Sequence, residues 1–123
     1  MLTKSDYLKL LLKKAGTIFF YHDRPVLYTI EHKKKKYLIA LADEHKENQS
    51  ETFILVNYTD ATYTLMQDTH MTPREYFTRP DNLVHLAVIE YKESGPVITY
   101  GEQYADNTTI PDAYLPTEDA RWK

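Results

Sequence analysis

At 123 residues and 14.5 kDa, with no cysteine and a formal net charge of −3, the chain is sized for one domain. Its composition excludes disulfide staples, thiolate nucleophiles and cysteine-held zinc. Weak acidity argues against non-specific nucleic-acid binding, and no apolar run approaches the length that crosses a bilayer.

Lys4, Lys9, Lys13 and Lys14 interrupt the only leucine cluster near the N-terminus, so no leader is expected and a cytoplasmic setting is. Thr3 followed by Asp6 is an N-cap with a capping-box acid. Leu8, Leu11, Leu12 and Ala15 then recur at helical spacing, with Lys13 and Lys14 in the last turn and Gly16 as the stop. Thr17–Tyr21 and Val26–Ile30 read as a strand hairpin around His22, Asp23, Arg24 and Pro25. The run Glu31–Lys36 is the next connection, leading into strands Tyr37–Ala42 and Thr52–Tyr58 that are joined by a long polar loop, Asp43–Glu51.

Beyond Tyr58 the period changes. Asp60 can cap a short helix through Met66, and Thr72-Pro73-Arg74-Glu75 places Thr at the N-cap, Pro at N1 and Glu at N3. Met71 and Tyr76 fit a hydrophobic staple, and Pro80 ends the helix. Leu83–Tyr91, nearly continuous in apolar character, is an interior strand; Glu93-Ser94-Gly95-Pro96 turns into a short last strand, Val97–Tyr100. The pattern predicts the α+β class: a single antiparallel sheet of about five to six strands, an N-terminal helix, and short helices between strands four and five. Residues 1–100 form the domain, and 101–123 an irregular tail that docks in part through Tyr104, Ile110, Tyr114, Leu115 and Trp122.

Catalytic signals are sparse. Asp43 or Glu44 with Glu90 and Lys92 imitates the acidic pair and Glu-x-Lys of a metal-dependent nuclease, a combination common at strand ends. His22, His32, His45, His70 and His85 lack paired ligand spacing, so no metal site is expected. Ser5, Ser50 and Ser94 lie outside any nucleophile elbow, and Gly16, Gly95 and Gly101 are too scattered for a phosphate loop, so no cofactor is expected. Sequons at Asn48, Asn57 and Asn107 read as chance matches.

Eleven tyrosines and four phenylalanines are the unusual feature. Tyrosine joins apolar area to a polar tip, which suits both sheet faces and protein interfaces. The reading this favours is a non-catalytic protein-binding module, with Tyr104, Tyr114, Leu115, Trp122 and Arg24 as partner-binding residues and homodimer formation by sheet extension. The alternative is a nucleic-acid accessory protein that uses Lys33, Lys34, Lys35 and Lys36, provided that those lysines share a surface with exposed rings.

The spacing of Tyr21, Asp23, Pro25, Val26 and Leu27, of Tyr37, Leu38, Asp43 and Glu44, and of Arg74, Glu75 and Pro80 resembles an uncharacterised family of small bacterial and phage α+β domains, over roughly residues 6–90. No agreed activity comes with the resemblance. It implies a small interaction or inhibitor protein carried by a mobile element, acting by occluding a host or partner protein.

Overall fold

The computed structural model describes residues 2–21, 24–80 and 82–116. Six strands form one antiparallel sheet in chain order: β1 (Ile18–Tyr21), β2 (Pro25–His32), β3 (Lys35–His45), β4 (Ser50–Tyr58), β5 (Val84–Lys92) and β6 (Gly95–Gln103). Every strand therefore pairs with its sequence neighbours, through short connections except between β4 and β5, where two helices intervene, and among the described residues β1 and β6 are the edges.

Side-chain alternation splits the core in two. On one face Tyr28, Ile30, Tyr37, Ile39, Phe53, Leu55, Ala87 and Ile89 pack beneath helix α1 (Lys4–Leu11), which contributes Tyr7 and Leu10. On the other face Phe19, Leu27, Leu38, Ala40, Ile54, Val56, Tyr58 and Val84 pack beneath α2 (Asp60–Thr69) and α3 (Pro73–Thr78), which supply Met66, Tyr76 and Phe77. β4 is buried on both faces, so its run Phe53-Ile54-Leu55-Val56 shows no polar alternation.

Both expected capping boxes form: Thr3 with Asp6, and Thr72 with Glu75 behind Pro73. The first helix differs from expectation in length and in face. It closes at Leu12, which is exposed, and it docks through Tyr7 and Leu10, while Leu8, Leu11 and Ala15 lie at the rim. The cause lies in β5 and β6, where the pair Ala87 and Gly101 leaves a slot for the Tyr7 ring. A Cβ on Gly101 would stand 2.6 Å from that ring. The Tyr7 hydroxyl reaches His85 Nδ1 at 2.8 Å, fixing the helix above the slot.

Thr59, rather than Asp60, caps α2. The strands also run further than the apolar runs suggested. Lys35 and Lys36 belong to β3, leaving Lys33 and Lys34 as the turn, both at positive φ. Asp43–His45 and Ser50–Glu51 are paired strand residues, so the expected polar loop shrinks to residues 46–49. β6 continues through Gly101, Glu102 and Gln103. Beyond it two 3-10 turns, Asn107–Thr109 and Asp112–Tyr114, lay the chain back on the sheet.

Candidate interaction site

β1 is the edge strand with the most exposed apolar character. Its register slips twice, between Ile18 and Phe20 and again between Phe20 and Tyr21. The first slip places both Phe19 and Phe20 toward the α2–α3 face, because Phe20 now opposes Leu27 of that face. Phe19 takes the interior position, stacked on Tyr63 at 5.8 Å and edge-on to Tyr58 at 6.1 Å. Phe20 is left at the rim. Ile18, Phe20 and Tyr21 are 40%, 50% and 60% exposed, on a strand whose outer backbone edge has no strand partner among the described residues.

Phe20 also borders a groove of about 400 Å³, floored by Val26, Leu27, Ala40, Leu41 and Ala42. Its far wall is Ala113, Tyr114, Leu115 and Pro116, carried there by the second 3-10 turn. Three tethers hold that wall. Tyr104 N–H donates to Val84 O at 2.8 Å. The Asn107 side-chain amide donates to Arg79 O and Asn82 O at 2.5 and 2.9 Å, and Arg74 donates to Pro116 O at 3.0 Å while also contacting Asp112. Asn107, one of the sequon asparagines, is thus buried and committed to two carbonyls.

The residues expected to bind a partner are dispersed by this arrangement. Tyr104, Tyr114 and Leu115 pack partly buried against the chain's own core, with Tyr114 and Leu115 presenting their remaining surface to the groove. Arg24 reaches across the opposite face of the sheet to Glu51, with Glu44 at 4.0 Å. Trp122 lies outside the described residues. The residues that sequence reasoning passed over are Ile18 and Phe20. Composition marks β1 as a short apolar strand, but its place at the edge rests on the strand order, and the exposure of Phe20 on the register slip.

Two polar nodes brace the framework. At the β3–β4 end, Glu51 is buried, accepting from Arg24 and, at 2.8 Å, from the Tyr91 hydroxyl. Partial burial and that bond to Glu51 push the Tyr91 phenol up to about 12, and burial does the same for Tyr28 beside it. Both phenols stay protonated at neutral pH. At the β2–β3 end, Asp6 joins Lys33 at 2.9 Å, the Thr3 backbone and hydroxyl, and His32 Nε2 at 3.2 Å. These contacts hold its carboxyl well below the usual carboxylate range.

Of the nuclease-like residues, Glu44 opposes Glu51, and Glu51 opposes Ile89 of the α1 face, so Glu90 points the other way. Asp43, opposite Thr52, shares the face of Glu90 but sits on β3, with β4 between it and β5. Among the described residues no group of three or more histidines, aspartates or glutamates could hold a metal ion. The lysines and the exposed rings are also separated. Lys33 and Lys36 engage Asp6 and Asp60, and Tyr37 is buried, whereas Phe20 and Tyr21 lie toward the opposite end of the sheet. Among the described residues no helix is long and apolar enough to cross a membrane.

No family model, curated protein or solved structure matches this chain.

Proposed function

We propose that the chain is a non-catalytic protein-binding module that docks an extended apolar segment of a protein partner along β1 and into the adjoining groove. The observation that carries this reading is the continuity of the two features. Phe20 lines the apolar groove, and the same strand offers the half-exposed side chains of Ile18 and Tyr21 and, among the described residues, a backbone edge without a strand partner. An added strand would draw affinity from backbone hydrogen bonds and specificity from the side chain it sends into the groove. Among the described residues the groove walls are mostly aliphatic and aromatic, without convergent charged groups, so an apolar side chain fits better than a polar metabolite. An inhibitor or accessory role in a phage or other mobile element, as the resemblance implies, is one setting for such a module.

Calorimetric titration with strand-forming peptides that carry one large apolar residue tests the reading. Phe20→Ser and Leu115→Ser should each weaken uptake about tenfold, the scale of losing one interface anchor. Equal affinity for wild type and both variants would remove β1 and its groove from the account.

A further inference from the structure

We infer, resting on the docking-edge reading, that the strand accepted along β1 is β1 of a second copy, paired antiparallel about a two-fold axis. Three observations bear on this occupant: two select it, and the third sets how tightly it pairs.

The first is the composition of the edge. From Ala15 to Tyr21 the chain carries no charge, and β1 lacks the lysine or proline that ordinarily guards an edge strand. A two-fold contact requires a patch that complements itself, and an uncharged edge does so wherever the two copies approach.

The second is charge polarity along the strands. Lys33, Lys34, Lys35 and Lys36 occupy the β2–β3 end of the sheet, and Lys13 joins that end by donating to Glu31 O at 2.9 Å. Asp43, Glu44, Glu47 and Glu51 occupy the β3–β4 end and outnumber Arg24 and Lys46 there, as the lysines outnumber Asp6 and Asp60 at the other end. Antiparallel pairing of two β1 strands sets the basic end of each sheet beside the acidic end of the other. Parallel pairing would set like ends together. The charge distribution thus selects an antiparallel two-fold and disfavours its alternative.

The third is size. A half-exposed aromatic side chain offers on the order of 100 Å² for a partner to cover. Phe20 and Tyr21, with the aliphatic Ile18 and a four-residue edge, then bury roughly 500 Å² per protomer, below the ~800 Å² of a standard interface. The association is therefore reversible, with a dissociation constant of about 10 to 500 µM. It joins two six-stranded sheets into one continuous sheet.

The absence of cysteine makes the test clean, since any introduced thiol is unique. Ile18→Cys and Phe20→Cys on β1 are compared under mild oxidation with Tyr100→Cys on β6, the other edge, whose side chain is also exposed. Sedimentation equilibrium of the wild-type chain is run from about 1 µM to 1 mM, spanning the expected constant. The expected result is a weight-average mass rising from 14.5 kDa toward twice that value, with disulfide-linked dimer from at least one β1 variant and none from the β6 variant. A mass that stays at 14.5 kDa throughout, or cross-linking confined to Tyr100→Cys, overturns the inference. The peptide titration separates the two levels. A monomer that still takes up strand peptides at β1 loses the dimer and keeps the docking edge, whereas a monomer that takes up none loses both.

Discussion

Replacing Gly101 by alanine should unseat the N-terminal helix. The added Cβ would lie 2.6 and 2.7 Å from two carbons of the Tyr7 ring, about 1 Å inside ordinary carbon–carbon contact. Tyr7 cannot swing clear cheaply, because it is buried and its hydroxyl is held 2.8 Å from His85 Nδ1. Overpacking at such a site costs about 1–3 kcal/mol. Displacing the ring also strands a buried imidazole nitrogen, which costs about 1–3 kcal/mol more. Alanine recovers about 0.5–1 kcal/mol of the backbone entropy that glycine loses in a strand. The net expectation is about 2–4 kcal/mol of destabilisation, a large share of the 5–15 kcal/mol typical of a domain. Urea unfolding of the wild type, Gly101→Ala, Tyr7→Ala and the double variant measures it as a cycle. The cost of Gly101→Ala should largely vanish once Tyr7 is alanine, because the clash partner is gone. A cost that persists in the Tyr7→Ala background, or one under about 0.5 kcal/mol in the wild type, would refute the slot and its role in seating α1.

Other expectations follow from the same framework. Lys34 sits at φ +67° in the two-residue turn between β2 and β3, so Lys34→Gly should raise stability by about 0.5–1 kcal/mol in urea unfolding. Burial lowers the His85 imidazole below its ordinary value of 6.5, so the unfolded chain binds more protons than the folded one as pH falls through that value. This contribution is fully present above pH 6.5 and is lost as pH falls toward the depressed folded value. His85→Gln should flatten the dependence of urea midpoints over that interval. Phe77 is fully buried where Phe20 is half exposed, so Phe77→Ala should cost about 3–5 kcal/mol by calorimetry, while Phe20→Ser should cost under about 0.5 kcal/mol.

Sequence pattern captured local chemistry better than reach. The strands, the hairpin connections and both capping boxes were legible because each depends on residues three or fewer positions apart, as with Thr72, Pro73 and Glu75. Strand ends were not. Asp43, Glu44 and Glu51 look like loop residues by composition, yet pairing with the neighbouring strand and the clasp of Glu51 by Arg24 and Tyr91 keep them in the ladder. The face that α1 buries was illegible for a related reason. Its leucines outnumber its tyrosine, but the slot made by Ala87 and Gly101, far along the chain, selects Tyr7. The aromatic residues of the tail imply partial docking. What sequence could not convey was that Asn107 and Arg74 tether it so that Tyr114 and Leu115 become one wall of a groove. The exposed side of β1 was masked because Phe19 and Phe20 look equivalent. Only the register slip decides which one is core.

The central claim is that β1, rather than β6, is the docking edge. Amide chemical-shift mapping of the isotopically labelled chain tests it most directly, with a peptide of the Gly16–Tyr21 sequence flanked by lysines as the added strand. The account predicts saturable shifts confined to residues 18–21, to Leu27 and Ala40, and to Tyr114 and Leu115 across the groove. Shifts that centre on residues 95–103, or none at all, would contradict it.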